Sequence, residues 1–313
     1  MIFDPPPRPV LLTLAGLFLV LVVASVAARL LRRGAPDGRH DELLARVRSW
    51  WVMVTIFAAA LLLSRTAAIV LLGFVSFLAL KEYLSLIPTR RADRRVLLWA
   101  YLAVPLQFYW IAIGWYGMFL IFVPIYMFLL LPVRMLMIGE TQGFLRAVAT
   151  LHWGLMTTVF SVGHAAYLLM LPDAGNPGAG GAGLLLYLVV LTEANDVCQY
   201  LAGRLLGRRK VIPKVSPNKT WEGLLGGVVG TTVLALLLAP LLTPFVWPHA
   251  LLIGLLLGLA GFVGDITISA VKRDLQIKDT GTLLPGHGGI MDRIDSLTYT
   301  APLFFHVTYY LHY

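Results

Sequence analysis

Between residues 269 and 295 the chain reads Ser-Ala-Val-Lys-Arg-Asp-Leu-Gln-Ile-Lys-Asp-Thr-Gly-Thr-Leu-Leu-Pro-Gly-His-Gly-Gly-Ile-Met-Asp-Arg-Ile-Asp. Cations, carboxylates, a histidine and paired glycines crowd into one segment of an otherwise apolar sequence. From Asp265, just ahead of it, Ser269 and Lys272 follow in steps of four and three, so a helix puts the three on one face. Asp292 and Asp295 are three apart, with Arg293 between them. Carboxylate oxygens suit Mg²⁺, which keeps several waters and bridges protein to phosphates. Lysine and arginine neutralise phosphate oxygens. The pattern predicts divalent metal on Asp265 and Asp292, helped by Asp196 and Asp295. It predicts phosphate contacts from Lys272, Arg273, Lys278 and Arg293. Such alternation of anion and cation suits a nucleoside triphosphate reacting with a lipid phosphate.

The loop between these groups holds Asp279 and His287, and its Thr280, Gly281, Pro285, Gly286, Gly288 and Gly289 exclude a regular helix. Glycines there let backbone N–H groups approach an anion closely. His287 is expected to bind phosphate or backbone. A lipid phosphomonoester is already an oxyanion near neutral pH, so its attack on phosphorus requires no base, only positioning and charge stabilisation.

A second polar segment spans 195–223. Arg204, Lys210, Lys214 and Lys219 make it cationic. Ser216-Pro217-Asn218-Lys219-Thr220-Trp221-Glu222-Gly223 has the grammar of a helix start, with a hydroxyl cap and Glu222 in the first turn. The amides and positive dipole end at such a start favour phosphate. The spacing of a P-loop is absent.

The elements that must position these residues are membrane spans. Of 313 residues 58% are hydrophobic and 13% charged, where a soluble domain carries about 25% charged. Apolar runs fall at 10–31, 50–63, 66–84, 96–113, 115–136, 146–171, 182–203, 222–243, 249–271 and 296–312. The fold expected is all-α, a polytopic transmembrane bundle of nine or ten spans. Arg65 divides the second run from the third, as a tight hairpin or one bent helix. The first run is too long, and too little charged ahead, for a signal peptide. The segment 39–48 reads as a short basic interfacial helix. Charged groups near a span's centre cost at least ~2.5–3.5 kcal/mol each, so Glu193, Asp196 and Asp265, well inside apolar runs, each need a partner or a wet cavity. With the N-terminus outside, 23 of the 25 lysines and arginines fall in inside loops, leaving Arg8 and Arg65 outside. The net charge of +9 therefore reports topology and lipid contact, and nucleic-acid binding is not expected. The one cysteine, Cys198, excludes an internal disulfide.

The stretch 269–295, with Ser216–Gly223 ahead of it as a Ser-Pro-x-Lys-Thr-x-Glu-Gly element, resembles the signature of phosphatidate cytidylyltransferases (CDP-diacylglycerol synthases). The resemblance covers about the last 120 residues. It implies transfer of CMP from CTP to phosphatidate, Mg²⁺ on carboxylates matching Asp265 and Asp292, a monovalent cation such as K⁺ sharing the site, and a homodimer. It implies a bacterial-type inner-membrane protein whose active site faces the cytoplasm, with N-terminal helices in 1–180 and a catalytic region in 181–313. The catalytic candidates are Asp265, Lys272, Arg273 and Asp292. The substrate-binding candidates are Ser216, Ser269, Lys278, Asp279, His287, Gly288, Gly289 and Arg293, with Arg204, Lys214 and Lys219 near the phosphatidate headgroup. Many bacterial members carry Asp-Thr or Asp-Ser, then Gly-Ala, where this chain has Asp196-Val197-Cys198-Gln199. Asn195 is the polar oxygen that could replace the missing hydroxyl, and a paralogue with another lipid substrate stays open. A CTP-dependent lipid-alcohol (polyprenol-type) kinase is the nearest alternative. An ion-coupled transporter using Glu193, Asp196 and Asp265 as a proton relay is the alternative from another class.

Overall fold

The computed structural model describes residues 6–34, 41–88, 94–281 and 288–313. Long apolar runs dictate helices, because only internal hydrogen bonds satisfy the backbone in hydrocarbon. The described residues form helices α1 (Arg8–Gly34), α2 (Asp41–Leu63), α3 (Arg65–Leu86) and α4 (Arg94–Ala112). There follow α5 (Tyr116–Leu136), α6 (Phe144–Met170), α7 (Gly180–Leu206), α8 (Trp221–Leu242) and α9 (Trp247–Asp274). A single turn, α10 (Met291–Ile294), leads into α11 (Leu297–His312). Among the described residues, nine helices are long and apolar enough to cross a membrane, and the fold is all-α and polytopic. The tenth run is α11, whose 16 residues rise about 24 Å, short of a ~30 Å hydrocarbon core.

Local chemistry sets the breaks. Ser64 is extended and its side chain caps Ala67 N, so α2 and α3 are separate helices. Residues 41–48 are the first turns of α2, which corrects the expectation of a separate interfacial helix over 39–48; its residues 39 and 40 lie outside the described residues. Pro124 lacks an N–H, and α5 widens to a π-helix at Phe122–Met127. In α6 the π segment Met156–Phe160 lies where Thr158 Oγ1 bonds Gly154 O, and Ser76 of α3 takes the Thr158 carbonyl at 2.7 Å.

The C-terminal helices pack through small residues, which allow close backbone approach. A Cβ at Gly254 would come within 2.6 Å of Thr232 Cα, and one at Gly258 within 2.8 Å of Val228 Cα. Buried Asn195 bonds α7 to both neighbours: Thr231 Oγ1 donates to its Oδ1 at 3.1 Å, and its Nδ2 donates to Gly258 O at 3.3 Å. Asn195 is therefore spent on packing, which corrects the expectation that it supplies a polar oxygen to the site.

The two ends of the bundle differ. Arg65 pairs with Asp173 at 3.3 Å at one end. Glu82, about 25 Å further along α3, marks the other, where the 207–220 loop and residues 275–281 and 288–290 meet.

Candidate active site

Gly264 decides where the acids meet. A Cβ there would come within 2.9 Å of Ser296 Cα, so only glycine lets the α10–α11 junction lie directly on α9. Asp265 and Asp295 thereby fall within electrostatic reach of each other and of Asp196. Glu193, one turn before Asp196 on α7, faces Asp295 and Arg293.

The partners within this cluster are specific. Lys219, from the loop before α8, forms an ion pair with Asp265, the two side chains 20% and 22% exposed. Its ammonium also donates to Gln199 Oε1 at 3.0 Å. Ser269 Oγ donates to Asp265 Oδ1 at 3.2 Å. Ser296 Oγ lies 3.1 and 3.2 Å from the two oxygens of Asp196. Asp295 accepts from Ser296 N at 2.7 Å. Burial, then the charges of Asp265 and Asp196, hold the Asp295 carboxyl well above the usual carboxylate range.

Asp292 keeps other company. Its Oδ1 accepts from Lys272 Nζ at 2.7 Å, in a pair whose side chains are 6% and 14% exposed respectively. Its Oδ2 accepts from Thr280 N at 2.9 Å and Gly289 N at 3.1 Å. Burial alone would raise the Asp292 carboxyl, but Lys272 and the loop amides outweigh it and hold the group low. Gly288 adopts φ +79°, and a Cβ there would meet Asp292 Oδ2 at 2.6 Å, so both the turn and the space require glycine.

Other predicted residues scatter. Arg273 turns to the 207–220 loop and donates to Val215 O at 3.1 Å. Lys278, Asp279 and Lys214 are exposed. Arg293 serves the acids, and its Nε is buried without a hydrogen bond. His287 lies outside the described residues. A cavity of about 360 Å³ opens beside the acids, lined by Asp196, Gln199, Arg204, Lys210, Ser216 and Lys219. Lys214 does not line it. A larger cavity of about 450 Å³ lies between α3, α6 and the last turns of α9, and none of the clustered acids lines it.

The helix start at α8 is less open than its sequence suggests. Thr220 is the cap, accepting from Gly223 N at 3.1 Å. Trp221 N bonds Arg209 O, and Glu222 accepts from the amides of Arg208 and Arg209. At the helix start itself the amides of Trp221 and Gly223 are spent within the protein, so the expected phosphate seat is partly filled by its own chain.

Two residues escaped the sequence reading. Gln199 holds Lys219. Glu82, at the end of α3, accepts from Ile290 N and Met291 N, both at 2.9 Å, and from Thr280 Oγ1 at 2.6 Å. A carboxylate beside Lys81 at the end of an apolar run reads as an ordinary boundary charge.

The donor set can be tested against a metal. Among the described residues, no group of three or more His, Cys, Asp and Glu side chains is already arranged to hold one. The chemistry nevertheless fits a hard cation. Glu193, Asp196, Asp265 and Asp295 are oxygen donors opposed by Lys219 and Arg293, and the Lys219 ammonium stands in for a cation against Asp265.

A membrane-length bundle gathering acids, lysines and a glycine-rich loop at one end has the build of an enzyme for phosphate chemistry. The cytidylyltransferase family profile matches residues 44–311, and the chain belongs to that family of membrane nucleotidyltransferases. A phosphatidate cytidylyltransferase of Pseudomonas aeruginosa is 51% identical over 124 residues, 39% of this chain and 46% of that protein. One of Haemophilus influenzae is 37% identical over 129 residues, 40% of this chain and 45% of that protein. An uncharacterized Escherichia coli protein, YnbB, is 45% identical over 298 residues, 95% of this chain and 98% of its own length. The matches to the two phosphatidate cytidylyltransferases thus span under half of those proteins.

Proposed function

We propose that the protein transfers CMP from CTP to phosphatidate, giving CDP-diacylglycerol and pyrophosphate. The observation that carries this reading is the meeting of buried acids, Lys219 and a cation-lined cavity at one end of the bundle. Arg204, Lys210 and Lys219 would receive the lipid phosphate in that cavity, with Ser216 on its wall. Lys272 and Arg273 would receive the nucleotide phosphates. The lipid phosphate oxygen bonds the α-phosphorus as the bond from that phosphorus to the β-phosphate oxygen breaks, and pyrophosphate departs. No proton has to move, because the attacking group is already an oxyanion. The cations hold the charge spread over the phosphoryl oxygens.

Asp265, Asp196 and Asp295 would hold Mg²⁺, which supplies charge neutralisation at the phosphates. Asp292 takes the part of fixing Lys272 and the loop, because its oxygens are already engaged there. The catalytic region is proposed within 181–313, at the cytoplasmic side of a bacterial inner membrane.

Purified protein with labelled CTP, phosphatidate and Mg²⁺ should release pyrophosphate and form a CMP-bearing lipid. Chelation by EDTA should stop turnover and added Mg²⁺ restore it. Asp265→Ala should lower turnover at least about 10²-fold, with the protein still monodisperse in detergent. Release of CDP in place of pyrophosphate would identify a kinase, and full activity of Asp265→Ala would remove the acids from the chemistry.

A further inference from the structure

We infer that Glu82 of α3 is a positioning residue, fixing the signature loop and, through it, the lysine that meets the nucleotide. This rests on the reaction proposed above. Glu82 grips the loop on both sides of its glycine-rich middle. On the near side it accepts the Thr280 hydroxyl, at 2.6 Å. On the far side it accepts the amides of Ile290 and Met291, each at 2.9 Å.

The neighbouring glycines show how closely the carboxylate is enclosed. A Cβ at Gly281 would meet Glu82 Oε2 at 2.7 Å, and one at Gly289 would collide with the same carboxylate. Both glycines are fixed by the need to admit Glu82.

Thr280 makes the link directional. Its Oγ1 lies 2.6 Å from Glu82 Oε1 and 2.9 Å from Asp292 Oδ2. A hydroxyl has one proton to give, and the shorter contact takes it. Asp292 keeps Thr280 N, Gly289 N and Lys272. A chain of contacts thus runs from Glu82 through Thr280 and Asp292 to Lys272, joining α3 to α9 across the loop. The Glu82 carboxylate spends its hydrogen bonds on the loop. It acts through the loop, and the N-terminal part of the chain thereby enters the site.

Glu82→Gln is close to isosteric but keeps one acceptor oxygen, so on one side of the grip an N–H₂ faces a backbone donor that now meets oxygen. In the full-length purified protein this should speed hydrogen exchange about tenfold or more at whichever of the Ile290 and Met291 amides faces the N–H₂, since the two bond different oxygens of Glu82. The CTP KM should rise by a similar factor, with the phosphatidate KM unchanged. Thr280→Val should raise the CTP KM likewise, the double variant should add little to either, and Thr280→Ser should restore the wild-type value. A residue that only stabilised the bundle would lower the melting temperature and affect both substrates alike. Unchanged exchange at 290 and 291 in Glu82→Gln, or an unchanged CTP KM, would overturn the inference. Should the wild type transfer no CMP, the proposed reaction fails, and the exchange measurement alone then decides whether Glu82 holds the loop.

Discussion

Lys219 carries the balance of charge at the acidic cluster. Its ammonium faces Asp265, bonds Gln199 and lies 5.7 Å from the centre of the Phe262 ring. An ammonium held by a carboxylate, an amide oxygen and a ring face is well fixed. Removing it leaves Asp265 uncompensated beside Asp196 and Asp295; the pair is about a fifth exposed, so the cost lies below the ~3–5 kcal/mol of a fully buried pair. Lys219→Met should therefore lower the melting temperature in EDTA, and Mg²⁺ should recover much of the loss in a thermal-shift titration. A loss that Mg²⁺ leaves untouched would show that no cation can take the place of the ammonium. Much at this scale was legible in the sequence. Carboxylates well inside apolar runs, Asp196 three residues from Glu193 and Asp265 in step with Ser269 and Lys272, announced two of the acids. What the spacing did not tell was pairing: Asp292 resembles Asp295 in sequence, yet one bonds Lys272 and the loop while the other joins the acids. That difference depends on the path of the chain after α9.

At the scale of helices, glycine is the determinant of the site. The spans could be read from hydropathy because the bilayer imposes their length. The register between them could not, since a glycine's importance depends on what lies opposite. Gly264 and Gly16 are both glycines in apolar helices. Beside the first a Cβ would press on Ser296 Cα, and beside the second nothing lies within 4 Å. Gly264→Ala should push the α10–α11 junction off α9 and separate Asp265 from Asp295. Overpacking of this kind costs about 1–3 kcal/mol, and turnover should fall at least about tenfold. Gly16→Ala should leave turnover and melting temperature near wild type. Equal effects of the two substitutions, in activity and in thermal shift, would mean that close approach at Gly264 is not what assembles the site. The same dependence on partners hid Asn195, whose polar side chain reads as a site group and serves as a three-helix bond.

For the whole molecule the open quantity is direction across the membrane. Arg65 and Asp173, both assigned outside by their loops, pair with each other. Among the described residues, two of the loops assigned inside come together at the opposite end, where Arg273 reaches Val215 and Glu82 reaches the loop before α10. These described contacts keep the two classes of loop at separate ends, as the distribution of basic residues requires. A cytoplasmic site follows if the charge rule holds, since CTP is supplied on that side. Cysteine labelling tests it. Cys198 packs against Gly230, and Cys198→Ala removes the native thiol with little change in volume. On that background, Lys214→Cys and Gly178→Cys place single thiols at exposed positions on the two ends. An impermeant maleimide should label Gly178→Cys in intact cells and reach Lys214→Cys only after permeabilisation. The opposite pattern would turn the acids and the cation-lined cavity away from the nucleotide pool, and the proposed reaction could not proceed in the cell.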